Sequence, residues 1–394
     1  MSPKPTATPT PRAVNPFRYS GPLRSPEDVV DREGELQQML DLVAGGHSIR
    51  LIGPRRYGKT TLLAQMLRGA GDADMATALV DLEDVLSIGE LVVRIERAYA
   101  ASLKGPVRRA VDALFNAWNI GLSLGAGGFT ARLSAQRQVN SEAVLLRLLD
   151  LPRELHDRTG RQTVVVFDEV QDILAVPGAD GKLRSVIQHH GGMAAYAFAG
   201  SAPGLMDQLF ADPRRPLLEQ AVGIELAPLP LDQASDYVAE RFAETGRDPG
   251  TALAPLIELT RGHPQRTMLL AHHLWAHTPR GAAADEQTFT RAQDSALRQA
   301  NAHLRAIFKA LSANEKRVML ALANLPGSPR EAANAAAVGL NRNSVRKTVE
   351  TLRASADILD VDASSAPAIT DPLFELWLRR RGLAGVGPGE DESL

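Results

Sequence analysis

The sequence predicts an α/β fold: a parallel sheet covered by helices, then an all-helical subdomain, then a small module of three helices and a strand pair. Three observations carry this reading. Between Asn15 and about Leu229, short apolar runs alternate with longer amphipathic stretches, the rhythm of strands buried on both faces between crossover helices. From Leu231 to about Ala300 only helical periodicity remains. From Asn301 to Arg381, helix-start signatures precede two short strand-like runs.

The first 14 residues, within MSPKPTATPTPRAVNP, are rich in Pro and Thr and lack the apolar stretch of a signal peptide, so a solvated tail is expected there. No uninterrupted apolar run approaches the ~18–20 residues that cross a bilayer. The chain has no cysteine, which excludes disulfides, thiolate metal sites and thiol catalysis and fits a cytoplasmic location. With 44% hydrophobic residues, 23% charged residues and a net charge of -2, the composition is that of a globular protein with no global pull toward nucleic acid or membrane. At 394 residues it is long enough for more than one domain.

Five runs qualify as strands: Ile49 to Ile52, Ala78 to Leu82, Val164 to Phe167, Ala195 to Ala199 and Gly223 to Leu226. They fall in a core spanning 15–229. Within its long 103–145 insert, NIGLSLGAGGFTARLSA (119–135) alternates around a Gly-rich centre, which predicts a β-hairpin; the alternative is an irregular loop. The helical subdomain, 230–300, is broken at Arg247-Asp248-Pro249-Gly250 and at Gly262-His263-Pro264. In 301–381, Ser312 with Glu315 forms a capping box that opens a helix through Asn324. Ser328 with Pro329 and Glu331 opens a second in the same way, and Asn341 leads a third through about Arg353. The strand pair Asp357 to Val361 and Pro367 to Thr370 then precedes a helix from Pro372, giving a winged helix-turn-helix. Residues 382–394, Gly-rich and then acidic, are expected to be flexible.

The chemistry concentrates in GPRRYGKTT. Gly53, Pro54, Arg55, Arg56, Tyr57, Gly58, Lys59 and Thr60 match G-x-x-x-x-G-K-[ST], and Thr61 continues into a helix, so a strand lies on one side and a helix on the other. The two glycines let successive N–H groups turn inward, and the helix N-terminus adds positive potential, which together cradle the phosphates of a nucleoside triphosphate. Lys59 reaches the β- and γ-phosphates, and the Thr60 hydroxyl ligates Mg2+. The second acidic partner is supplied by TVVVFDE, where Asp168 would hold Mg2+ through water and Glu169 would orient or deprotonate the attacking water. Alone, an apolar run ending in two acids is a strand leaving a core; the upstream loop makes it catalytic.

Weaker candidates surround that pair. Ser201 ends the fourth strand, where it could sense the γ-phosphate, although a Gly-Ser pair also simply makes a turn. Arg214 and Arg215 lie in a loop before the fifth strand, where a neighbouring subunit's nucleotide could meet them in a homo-oligomer; a solvated basic loop is the alternative. Arg266 begins a helix after the Gly-His-Pro break and could report nucleotide state to the helical subdomain, or be a surface helix-end arginine. The histidines of HHLWAH lack a third ligand for a metal. Arg342, Arg346, Lys347 and Arg353 suit a recognition helix on double-stranded DNA, while Asp357, Asp360 and Asp362 in the wing would repel it. A protein partner on the winged helix is the alternative.

Together, VDREGEL (30–36), GPRRYGKTTLL, FDEVQDI, GSAPGLMDQLF, the Gly-His-Pro turn and ITDPLFELWLRRR resemble the archaeal-type ATPase family, a branch of the additional-strand P-loop NTPases close to AAA+ and STAND proteins. The resemblance spans roughly Asn15 to Arg380; the phosphate loop and acidic strand are its parts specific to chemistry. It implies a five-stranded core in the order 5-1-4-3-2, a helical lid and a C-terminal winged helix. It also implies ATP and ADP as ligands, with Asp31 and Arg32 near the adenine side and Val30 packing on the base. Here Pro216-Leu217 is followed by Leu218-Glu219-Gln220, not by the arginine frequent in the family, so an arginine acting in trans must be sought at Arg214 or Arg215.

Three functions are consistent with these residues: a slow Mg2+-dependent ATPase acting as a nucleotide-driven switch, a DNA-acting ATPase that remodels or loads onto DNA through its winged helix, and an adaptor that binds nucleotide without hydrolysing it.

Overall fold

Five apolar runs pair into one parallel sheet, in the order Ala76–Asp81, Thr163–Asp168, Ala194–Gly200, Ile49–Ile52, Val222–Glu225, which is the expected 5-1-4-3-2 read from the other edge. The computed structural model describes residues 14–20, 32–102, 108, 109, 111, 140–355, 358–361 and 366–383. The strands are β1 (Ile49–Ile52), β2 (Ala76–Asp81), β3 (Thr163–Asp168), β4 (Ala194–Gly200) and β5 (Val222–Glu225). Four of the five differ by one or two residues at an end from the apolar runs, because the ladder is set by backbone pairing. Ala76 joins by pairing with Thr163, for example, although Thr163 lies outside the apolar run. The hairpin expected over 119–135, and the residues Val30 and Asp31, lie outside the described residues.

Alternation along the strands splits the valines of β3 between two cores. Val164 and Val166 pack with Leu62, Leu63 and Met66 of the helix Lys59–Asp72, whereas Val165 and Phe167 pack with Leu148 and Met206 on the opposite face. Both faces are thus covered, as a parallel sheet requires.

After β5 the chain changes body within three residues: Leu226 belongs to the sheet core and Leu229 to another. The Leu229 amide donates to the Gly262 carbonyl. Gly262 is left-handed (φ 73°), and a Cβ there would overlap the Leu229 carbonyl, so glycine is required at this crossing. The lid helices are Leu231–Glu244, Leu253–Thr260, Pro264–His277 and Glu286–Ala310. The last runs unbroken across residue 300, because no Gly or Pro interrupts it.

The helices Ala313–Asn324, Ala332–Ala337 and Arg342–Ser355 follow, then the antiparallel pair β6 (Leu359–Val361) and β7 (Pro367–Ile369), then the helix Pro372–Arg381. The Ser312–Glu315 capping box forms as expected. The second box does not: Glu331 is itself the N-cap of Ala332–Ala337, and its carboxylate turns back to accept from the Ser328 amide at 2.9 Å, so the helix starts later than the sequence suggested.

Lid and winged module share one hydrophobic core. Leu256 and Leu274 of the lid, Leu304 of its last helix, and Val318, Val349 and Phe374 of the winged module are buried together. Phe17, 1% exposed, enters the same core against Phe242 at 5.5 Å between ring centroids, which ties the segment 14–20 to the lid. The fold thus presents two bodies, sheet and lid with wing, facing each other across the end of the sheet that carries the phosphate loop. Among the described residues no helix is long and apolar enough to cross a membrane.

Candidate nucleotide site

The phosphate loop turns through left-handed backbone at Arg56 (φ 69°) and at Gly58 (φ 89°), the N-cap of the helix Lys59–Asp72. Gly58 adopts this conformation freely; Arg56 does so at a cost of about 1 kcal/mol. Lys59 is buried, with its ammonium on the carbonyls of Gly53 (2.6 Å) and Pro54 (3.1 Å). The Thr60 hydroxyl donates to Asp168 Oδ2 at 3.3 Å, so residues 108 positions apart meet at the mouth of the loop.

Asp168 and Glu169 end β3 together. Burial pushes the Asp168 carboxyl up, the neighbouring Glu169 carboxylate adds to this, and Lys59 opposes it. A divalent cation beside Thr60 and Asp168 would supply the positive charge the carboxylate lacks. Those two oxygens fit Mg2+ shared with phosphate and water, the arrangement hard cations accept. Among the described residues no group of three or more His, Cys, Asp or Glu side chains could hold a metal alone.

Glu169 has a left-handed backbone (φ 50°), which turns the chain out of β3 into a short 3-10 segment, Val170–Ala175. One carboxylate oxygen, Oε2, accepts from the Ser201 hydroxyl (2.8 Å), the Ser201 amide (3.2 Å) and Gln171 Nε2 (2.7 Å). Ser201 is thus brought to Glu169 by β4. A Cβ at Gly200, before it, would overlap the side chains of Met206 and Gln171, which would have to shift. The sequence singled out Ser201 but not Gln171; the spacing Glu-x-Gln after a strand was the available signal.

The loop's variable residues meet the opposite body. Tyr57 packs edge-on against His263 at 5.0 Å between ring centroids. Arg56 Nη2 lies 2.9 Å from His303 Nε2 of the last lid helix, and Arg56 Nη1 is 4.0 Å from Asp371 Oδ2. Asp371 caps the helix Pro372–Arg381 by accepting from the amides of Leu373 and Phe374. It also takes both ends of the Arg266 guanidinium: Nε donates to Oδ1 at 2.8 Å and Nη2 donates to Oδ2. Arg266 is 2% exposed. It is not a surface helix-end arginine but clamps lid to wing. Burial opposes the charge on Asp371, but the Arg266 guanidinium outweighs it and holds the carboxyl below its ordinary value.

His263 caps the helix Pro264–His277, with Nδ1 accepting from the Arg266 amide at 3.4 Å. Burial pushes its pKa down to about 4. An unfolded histidine titrates near ~6.5, so between these values the unfolded chain binds a proton that the native ring refuses. Stability therefore falls as pH drops through this window, by about 3 kcal/mol in all. His263→Asn keeps a capping acceptor and removes this contribution. Urea unfolding of both proteins at pH 7 and at about pH 4.5 should show a smaller acid loss in the variant.

The remaining candidates are dispersed. Arg32 is buried, donating to Glu35 Oε1 at 2.6 Å and to the Ala227 carbonyl, a strut between the first helix and the chain leaving β5. Arg215 is tied to Asp180 of its own chain at 3.1 Å, while the side chain of Arg214 is 88% exposed and paired with Asp212. Arg342, Arg346, Lys347 and Arg353 are exposed. Arg342 and Lys347 line an open cavity of about 640 Å3 with Asn341, Asn343 and Ser344. The helix Arg342–Ser355 that carries these four also packs against the core helix Pro203–Phe210.

No protein-family model matches the chain. No curated protein matches it either. Among solved structures, it is similar to a Walker-type ATPase of Pyrococcus abyssi, at a TM-score of 0.66 and 19% identity, covering 92% of this chain and 99% of the other. It is also similar to the ORC2 protein of Aeropyrum pernix in its ADPNP–ADP complexes, at a TM-score of 0.53 and 14% identity, covering 94% and 97%. With a phosphate loop after β1, acids at the end of β3 and the strand order β2-β3-β4-β1-β5, the chain has the fold of the Walker-type P-loop ATPases.

Proposed function

We propose that the chain is a Mg2+-dependent ATPase of low turnover whose nucleotide state sets the position of the lid and winged module. The observation that carries the reading is the convergence of Lys59, Thr60, Asp168, Glu169 and Ser201 at the ends of three neighbouring strands. Lys59 leaves the loop carbonyls to meet the β- and γ-phosphates. Thr60 and Asp168 hold the cation, which offsets charge on the phosphate oxygens when bound. Glu169 takes the proton of the attacking water or orients it, and Ser201 fixes that carboxylate. The switch is supported by the shared core of lid and wing, by the contacts of Arg56 with both and by that of Tyr57 with the lid. Lys59→Ala should lower phosphate release from ATP by at least about 100-fold. Release unaffected by that change, with Mg2+ present, would sink the ATPase reading.

A second reading, action on double-stranded DNA, is favoured by the exposed Arg342, Arg346, Lys347 and Arg353 on one helix. It calls for salt-sensitive DNA binding that weakens on Arg346→Ala and Lys347→Ala with nucleotide affinity retained. Because that helix also rests on Pro203–Phe210, the helix after Ser201, DNA affinity in this reading depends on the nucleotide bound.

A further inference from the structure

Arg56 of the phosphate loop reaches the lid and the winged module at once. Its guanidinium meets His303 at 2.9 Å and Asp371 at 4.0 Å. The cations gathered around Asp371 outnumber it: Arg56 and Arg266 both face this carboxylate, with Arg55 close enough to perturb Arg56. Arg266 takes both carboxylate oxygens from within its own body. Arg56 therefore holds the weaker, longer share, and it alone of the two arginines crosses between bodies. Burial and then Arg266 disfavour its charged form, with Asp371 opposing them. This guanidinium, 35% exposed and only 4.0 Å from its carboxylate partner, sits on a loop of the kind that receives phosphate.

We propose that Asp371 is a built-in competitor of the nucleotide's terminal phosphate for Arg56, so that a triphosphate in the loop draws Arg56 away from Asp371 and His303 and undocks the lid and wing together. The idea rests on the ATPase reading and gives its switch a part and a direction. A γ-phosphate presents about two negative charges and several acceptors to a guanidinium where Asp371 presents one charge already shared, and charge-assisted pairs of this kind are the strong ones. ADP lacks that group and leaves the latch closed. Because lid and wing share one core, they leave as a unit, and the separation breaks the Arg56 contacts, the packing of Tyr57 on His263 and the rest of Arg342–Ser355 on Pro203–Phe210. Linkage is reciprocal: if triphosphate weakens docking, weakening the docking tightens triphosphate by the same factor.

The chain has no cysteine, so a pair of spin labels can be placed cleanly with Asp72→Cys on the sheet body and Lys309→Cys on the lid, both exposed. The full chain is measured without nucleotide, with ADP, and with a non-hydrolysable ATP analogue, each with Mg2+. The expected result is one short distance without nucleotide and with ADP, and a shift to longer distances with the analogue. Arg56→Glu in the same background should give the long distance without nucleotide, and Arg56→Lys should keep the response. Asp371→Asn, which retains a capping acceptor, should bind the analogue about tenfold more tightly with little change for ADP. If Asp371→Asn fails to fold, the Arg56 variants decide. Distances that ignore the analogue, or an Arg56→Glu chain as closed as the parent, overturn the proposal, as does an Asp371→Asn affinity gain equal for ADP and analogue. If ATP binds and is hydrolysed while the distances stay fixed, only the latch falls; a chain that binds no triphosphate ends both readings.

Discussion

ATP turnover of the Glu169→Gln variant should fall by about two to three orders of magnitude with nucleotide binding retained. Glutamine matches glutamate in shape, and its carbonyl oxygen can accept from the Ser201 hydroxyl, the Ser201 amide and Gln171 as Oε2 does. The side chain therefore stays where β4 and the 3-10 segment hold it, and what is lost is the capacity to take a proton. The groups proposed to meet phosphate and cation, Lys59 and the Thr60–Asp168 pair, lie on other residues and are untouched. Phosphate release under single turnover, paired with titration of a fluorescent ATP analogue, separates the two steps. If turnover in the parent is already at background and Glu169→Gln leaves it there while the analogue still binds, the nucleotide is a structural ligand and the adaptor reading replaces the enzyme. A Ser201→Ala variant gives the intermediate case, in which Glu169 keeps its charge and loses one of its three donors, the Ser201 hydroxyl.

What could be read in the sequence follows from which interactions are local. TVVVFDE announces a strand buried on both faces with acids at its end, and GPRRYGKTT lies between a strand and a helix, so the sheet and the central pair of sites were legible. The strand order came from the family resemblance, and pairing of β1 between β4 and β5 agrees with it. The contacts that join the two bodies were not legible. Asp371 caps the helix that Pro372 opens, but nothing near it points to Arg266, 105 residues earlier, or to Arg56 in the phosphate loop. Likewise, helical periodicity states which face of Glu286–Ala310 or Pro372–Arg381 is buried, never what it is buried against, and so lid and wing read as separate domains although they share a core. The second capping box failed for a local reason: Glu331 stands at the N-cap position of Ala332–Ala337 without a side-chain capping bond to that helix, and its carboxylate is taken by the Ser328 amide.

Arg266→Ala should cost about 3–5 kcal/mol of the stability of the lid and winged module, the range for removing one partner of a buried ion pair. Two losses add. Arg266 is among the largest fully buried side chains, so truncation opens a cavity between the helix Pro264–His277 and the start of Pro372–Arg381. It also leaves the Asp371 carboxylate with only Arg56, at 4.0 Å, and its two capping amides as partners among those described. Arg266→Met separates these terms, since it keeps most of the volume and removes the charge. Combining it with Asp371→Asn should recover part of the loss, because a buried pair replaced on both sides costs less than one left half-made. Acid supplies an independent sign. The Asp371 carboxyl is held below its ordinary value by Arg266, so the pair's contribution is complete above about pH 4 and is lost as pH falls through the native value below it. Urea unfolding followed from pH 7 down to about pH 3 should thus show a steep loss of stability below about pH 4 in the parent and a shallower one in Arg266→Met. Equal acid slopes in the two proteins would mean that the clamp between lid and wing is carried by the shared apolar core and not by this pair.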